Sequence, residues 1–302
     1  MKPNRLPRFK RVVRPFPIQL TQRDQQIIQL VHRHRFLRSR QIVALVGGSS
    51  QHLLRRLQAL FHHGYLERPR AQIDYYHEGG FRHVVYGLGT KGAAILKKES
   101  GLVVPDVAWS EKNNSVKRVF LEHALLVSDI MVALELACRR SGSVTLHTEN
   151  DLNQTSPQQF RWKVSAVPNL KLGVIPDCTF ALEFKNHNGG VERAFFFLEA
   201  DRGTMPVNRT NLSQTSFFRK LLGYEATWMQ SIHWKRFGFH RFRVLTITTI
   251  PARVNSLVEA CSKLERGRGL FIFGDETFLQ KPQILVDKIW RTGNGQLDSL
   301  LD

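Results

Sequence analysis

The chain has 302 residues, 42% hydrophobic and 23% charged, which is enough apolar material for two cores and too much for a disordered chain. Lys and Arg number 44 against 25 Asp and Glu, a formal net charge of +19, which points to a polyanionic partner, nucleic acid before membrane. No apolar stretch reaches the ~18–20 residues of a membrane span, and the N-terminus lacks the apolar segment of a secretory signal. Three far-spaced cysteines, Cys138, Cys178 and Cys261, outline neither a disulfide framework nor a zinc pair. A cytoplasmic protein is expected.

Residues 1–100 hold 19 basic and only 5 acidic side chains, so a basic N-terminal module is expected ahead of a more balanced one. Residues 1–19, with Lys2, Arg5, Arg8, Lys10, Arg11, Arg14 and four prolines, read as a flexible basic arm. Thr21 can cap a helix carrying Ile27, Ile28, Leu30 and Val31. A short second helix follows from Ser39 to Val46 and breaks at Gly47-Gly48. Ser49 or Ser50 caps a third helix, on which Leu53, Leu54, Leu57, Leu60 and Phe61 form the apolar face and Gly64 the end. Tyr65–Arg68 and His83–Leu88 then pair as a β-hairpin, and Thr90 caps a helix to about Lys98. Three helices and a hairpin give the order of a winged helix-turn-helix over residues 20–98. On its reading helix, Gln51, His52, Arg55 and Arg56 are expected to face duplex DNA, with Arg38 and Arg40 beside phosphate. The hairpin tip, with Arg70, Tyr75, Tyr76, His77 and Arg82, could reach a groove.

A linker is expected over residues 99–115. A long helix from Val116 to Arg140 opens the second domain, and Glu122 on it could join a metal site. Strands follow at Val144–His147, about Val174–Phe184 and Ala194–Ala200, then a helix at about Asn211–Trp234, a strand at Arg243–Thr248, a helix at about Ala252–Glu265 and a short strand at Leu270–Phe273. The second domain is drawn over residues 116–275, with residues 276–302 as a C-terminal tail. The order helix, strand, strand, strand, helix, strand is similar to that of restriction-endonuclease-like nucleases. Their chemistry needs carboxylates at the ends of neighbouring strands to hold Mg²⁺, and a lysine beside the attacking water. Pro176-Asp177 opens one strand, and Glu199-Ala200-Asp201 closes the next with both acids on one face. Asp177 and Glu199 are the candidate metal ligands, and Asp177, Glu199, Asp201 and Lys220 the candidate catalytic set. The position where such nucleases carry the lysine holds Asp201. Arg202, next to it, points the other way and cannot readily give up a proton. Lys220 is the better substitute, one helical turn from Tyr224.

Several runs together resemble the replication-relaxation family of bacterial plasmid and mobile-element proteins. They are Leu20-Thr21-Gln22-Arg23-Asp24 with Ile27-Ile28, Phe36-Leu37, Gln41-Ile42, Arg55-Arg56-Leu57 through Gly64-Tyr65-Leu66, Tyr86 to Gly92, His123, Pro176-Asp177, and Phe196 to Thr204 with Lys220 and Tyr224. The resemblance implies a role in replication, DNA relaxation or maintenance of a mobile element. The expected fold is an α+β and α/β chain: an N-terminal winged helix-turn-helix followed by a restriction-endonuclease-like αβββαβ domain. The expected function is DNA binding, with double-stranded DNA as partner and replication or mobilisation proteins as further partners. The second domain is either a degenerate scaffold, as in a replication or transcription regulator, or a Mg-dependent nicking or cleaving endonuclease. Absence of the strand-borne lysine tilts the balance toward the scaffold, and Mg is implied only for an active site.

Overall fold

A computed structural model describes residues 7–12, 17–73, 83–99, 107–155, 159–167, 170–186 and 188–301. The chain divides into two compact units, residues 1–128 and 129–302. It is a mixed α/β protein, and among the described residues no helix is long and apolar enough to cross a membrane.

The first unit begins with α1 (Gln22–His34), whose N-cap Thr21 accepts from the Asp24 backbone while the Asp24 carboxylate accepts in return. This reciprocal capping box satisfies two otherwise orphaned donors. After β1 (Phe36–Arg38) come α2 (Ser39–Val46), ended by Gly47 at φ 74, and α3 (Ser50–His62), capped by Ser49. Strands β2 (Leu66–Glu67) and β3 (Val85–Leu88) complete a three-stranded antiparallel sheet ordered β1-β3-β2. Ile27, Ile28, Val31, Leu37, Ile42, Leu53, Leu57, Leu60 and Leu66 fill its core. Leu54, expected on the apolar face of α3, is 47% exposed instead. The i, i+4 partners Leu53 and Leu57 already cover the stripe, and Leu54 lies on its flank.

Helix α4 (Thr90–Glu99) follows β3. The Gly89 and Gly92 positions approach the Gly64–Tyr65 backbone so closely that a Cβ at either would lie 2.3 Å from a carbonyl oxygen. The segment expected to be a linker holds α5 (Trp109–Asn114), tied down because buried Asn113 donates to the Leu88 carbonyl at 2.8 Å. The described part of the basic arm is also anchored. Arg11 donates to the Phe61 and Leu66 carbonyls and pairs with Glu67 at 2.6 Å, and Arg68 donates to the Arg8 carbonyl. Tyr75, Tyr76, His77 and Arg82 lie outside the described residues.

Helix α6 (Arg118–Ser141) runs from the first unit into the second. There β4 (Val144–His147), β7 (Cys178–Lys185), β8 (Val191–Asp201), β9 (Arg243–Thr248), β10 (Phe271–Asp275), β11 (Trp290–Thr292) and β12 (Leu297–Asp298) form one sheet ordered β12-β11-β10-β9-β8-β7-β4. Strands β8, β9 and β10 are parallel and the other pairs antiparallel. The expected second strand is divided. Its first residue, Val174, ends β6 (Leu170–Val174), which pairs with β5 (Trp162–Val167) as a separate two-stranded ribbon, and Pro176 separates that ribbon from β7. Helix α7 (Glu149–Thr155) precedes the ribbon. The expected long helix after β8 is α8 (Phe217–Met229) plus α9 (Ile232–Phe237), broken at Ser231, which sits at φ 56. Helix α10 (Arg253–Ser262) lies between β9 and β10. The expected C-terminal tail is ordered: buried Ile284, Leu285, Trp290 and Leu300 fasten it to the core and place β11 and β12 in the sheet.

Candidate nucleic-acid interface and acidic site

On α3, Gln51, His52 and Arg55 are exposed. Arg56 is committed elsewhere: its guanidinium donates to both oxygens of fully buried Asp24, at 2.7 and 2.6 Å, and to the Gln19 carbonyl. Burial opposes ionisation of Asp24, but Arg56 and the Thr21 hydrogen bonds outweigh it and hold the carboxyl below the usual range. Arg56 therefore clamps the start of α1 to α3, and the outward side of α3 is left to Gln51, His52 and Arg55. Arg40 is exposed at the start of α2, and Arg38 is half-buried beside it. His83 lies close enough to feel both: burial first, then the charges of Arg40 and Arg38, lower its pKa. Sequence reasoning missed His83 as a neighbour of these two arginines because it is more than forty residues away along the chain.

In the second unit, α8 lies against the sheet and the β5–β6 ribbon packs on α8. The Trp162 indole donates to Thr227 at 2.8 Å, and a Cβ on Gly223 would come within 2.9 Å of Val174. This packing fixes the helix face that carries Lys220 and Tyr224. The register that pairs Cys178 with Leu198 sets Asp177 across from Glu199, on the same face of the sheet. Asp177 accepts from the Ala200 backbone at 2.8 Å, which fixes its carboxylate at the β8 end. Glu199 is 2% exposed. One oxygen accepts from the Lys220 ammonium, and the other accepts from the Tyr224 hydroxyl at 2.5 Å.

The electrostatics follow from this burial. Loss of water, reinforced by the negative charge of Asp177, pushes the Glu199 carboxyl up to about 7 even though Lys220 favours its ionised form. Burial disfavours the Lys220 ammonium, yet Glu199, Asp177 and Asp201 together hold its pKa above the usual lysine value. Burial and the adjacent Glu199 charge also raise the Tyr224 phenol well above its ordinary value, so it remains a donor.

Asp201 shares the strand face and acts on Lys220 through its charge, but its carboxylate is bound by another partner. Arg253 on α10 binds its two oxygens, at 2.5 and 3.2 Å, and also donates to the Met205 carbonyl. Sequence reasoning missed Arg253, which nothing in the local spacing connects to Asp201. Glu122 pairs with Arg118 at 2.8 Å within the first unit. Glu149 is a half-buried carboxyl whose pKa is raised by desolvation. The Cys178 thiol is pushed up to about 12 by burial and by the charges of Glu149 and Asp177.

Any cation site here would be sparse, since both Glu199 oxygens already accept hydrogen bonds. Among the described residues no group of three or more His, Cys, Asp or Glu side chains could hold a metal. Mg²⁺ commonly takes only one or two carboxylates and keeps several waters. Asp177 and Glu199 would provide that pair. The depressed acidity of Glu199 is what a nearby divalent cation would relieve.

No curated protein and no solved structure gives a match. A family model described as replication-relaxation matches residues 28–241. That span takes in α1 from its second turn, the β1-β3-β2 sheet, and the Asp177, Glu199, Lys220 and Tyr224 constellation. More than half of the chain is covered, and the chain belongs to the replication-relaxation family.

Proposed function

We propose that the chain docks duplex DNA through a winged helix in its first unit and nicks DNA through a restriction-endonuclease-like site in its second. The family supports a role in replication or relaxation. For docking, the reading rests on the α1-β1-α2-α3-β2-β3 order, the exposed Gln51, His52 and Arg55 on the third helix, and the Arg38, Arg40 and His83 cluster beside it.

For cleavage, one observation carries the reading: the Lys220 ammonium hydrogen-bonds Glu199 across from Asp177. The lysine that the strand lacks is supplied from α8. Asp177 and Glu199 would hold Mg²⁺, which when bound polarises the scissile phosphate and neutralises its charge. Lys220 keeps its proton and presents a cation where negative charge accumulates during attack. Its ammonium also has donors to spare for orienting a water. Tyr224 fixes Glu199 from the other side, and Arg253 keeps Asp201 from competing for Lys220.

A second reading, a DNA-docking regulator with a retired site, is favoured by one feature: both Glu199 oxygens already have donors. Supercoiled plasmid separates the two. With Mg²⁺ the wild type yields nicked circles, and Asp177→Ala, Glu199→Ala and Lys220→Met do not. Intact duplex binding without nicking, in Mg²⁺ or Mn²⁺, overturns the enzyme and leaves the regulator.

A further inference from the structure

A surface of the second unit, separate from the acidic site, has the composition of a base-stacking platform. Helix α9 is held by its aromatic neighbours. Phe237 packs on Phe160 and Trp162 with ring centroids 5.1 Å apart in each case, and Phe239 stacks on Phe195 at 4.0 Å. Ser231 at φ 56 and Gly238 at φ 70 bracket the helix and fix its orientation. While Phe237 and Phe239 turn inward, Trp234 turns out and is 48% exposed. Its ring lies against the exposed His240 ring, centroids 4.2 Å apart. An indole held outward on a rigid helix loses little conformational freedom when a flat partner covers it.

The charge carried by this stretch of chain is of one sign. Residues 226–258 contain no Asp or Glu. Two of the basic side chains in that run are neutralised, Arg243 by Asp298 and Arg253 by Asp201. Lys235, Arg236 and Arg241 are exposed and make no ion pair among the described residues. Lys235 donates to the Gln230 carbonyl at 3.5 Å, and Arg236 donates to the Gln159 carbonyl at 3.3 Å with its guanidinium 5.4 Å from the Phe237 ring. Three cations beside an exposed indole and imidazole combine phosphate attraction with a surface for stacking.

We propose that Trp234 and His240, flanked by Lys235, Arg236 and Arg241, bind single-stranded DNA by stacking an unpaired base while the cations hold its phosphates. A duplex keeps its base faces covered, so a protruding ring finds a partner only on an unpaired strand. The platform is distinct from the acidic site: Phe195, beneath Phe239, lies four residues before Glu199 on β8, about 13 Å along the strand. It does not depend on whether the acidic site cleaves.

The test uses the full chain and fluorescence anisotropy with a labelled oligothymidine of about 15 nucleotides, beside a duplex of equal length. Trp234→Ala is expected to weaken single-strand binding about tenfold and to leave duplex binding within about twofold. Trp234→Phe, which keeps a stacking face and guards against misfolding, is expected to retain most of the affinity. Replacing Lys235, Arg236 and Arg241 together with alanine should lower the log–log salt slope for the single strand by about 2. Unchanged oligothymidine binding in Trp234→Ala overturns the proposal. So do equal losses on single strand and duplex, or displacement of oligothymidine by polyglutamate at matched charge, which would mark an acidic-peptide surface. A failed plasmid-nicking assay leaves this result untouched.

Discussion

Glu199→Gln tests the electrostatics of the acidic site through stability alone. The folded carboxyl keeps its proton up to a pKa of about 7, whereas the ordinary value is 4.5. A carboxyl raised on folding stabilises fully below its unfolded pKa, and that contribution is lost as pH climbs through the folded one. At roughly 1.4 kcal/mol per pKa unit, ionising Glu199 in the folded chain costs about 3 kcal/mol. Glutamine has nothing to ionise, so the variant lacks this pH-dependent loss. The stability difference between Glu199→Gln and wild type should therefore move in favour of the variant by about 3 kcal/mol as pH rises from 4.5 to 8. Urea unfolding followed by tryptophan fluorescence is a suitable assay, since Trp162 and Trp290 are buried in the second unit. Carboxyl-carbon NMR of the native protein should place the titration midpoint near 7, and saturating Mg²⁺ should lower it. Parallel stability curves for the two proteins, or a midpoint near the ordinary 4.5, would refute the argument.

In the first unit, Arg56→Ala strands the buried Asp24 carboxylate and should cost about 1.5–3 kcal/mol, whereas Arg55→Ala should change stability by less than about 0.5 kcal/mol and lower the duplex salt slope by about one. Thermal unfolding beside salt-dependent binding separates the clamp from the contact, and an Arg56→Ala protein as stable as wild type contradicts it. A methyl at Gly92 would sit 2.3 Å from the Tyr65 carbonyl oxygen. Gly92→Ala is therefore expected to lose about 1–3 kcal/mol, measured by urea unfolding. Burial pushes Cys138, Cys178 and Cys261 each up to about 12. Cys138 and Cys261, both buried, should not react with a disulfide reagent at pH 8 until the chain unfolds, and their rapid labelling in folded protein would contradict that burial.

What could be read in the sequence is what local chemistry decides. Thr21 and Ser49 as caps, and Gly47 and Gly64 as stops, act within a turn of where they stand, and each does so in the structure. The acid pair on β8 was equally legible, since residues two apart share a strand face. Partners fixed by tertiary packing were not. The pattern of α3 turns Arg56 outward, but its partner Asp24 lies 32 residues away. Nearness to Glu199 in sequence or pattern groups Asp201 with Lys220, and only the packing of α10 shows that Arg253, 52 residues on, claims Asp201. The β5–β6 ribbon was hidden between Pro157 and Pro176, where short alternating runs carry little periodic signal. Strands β11 and β12 have three and two residues, too few for alternation to show, and so read as a tail.

That pair of short strands also bears on how the chain behaves in company. The outer backbone of the five-residue β10 pairs with β11, and β11 in turn with the two-residue β12. The sheet thus tapers to a stub with little room for a foreign strand to dock. Cut before Lys281, the same sheet would end on a straight, largely apolar rung (Phe271, Ile272, Phe273) with its amides unsatisfied, a template for fibre-like self-association. The last twenty-odd residues act as a selvage that keeps the weave from unravelling into its neighbours.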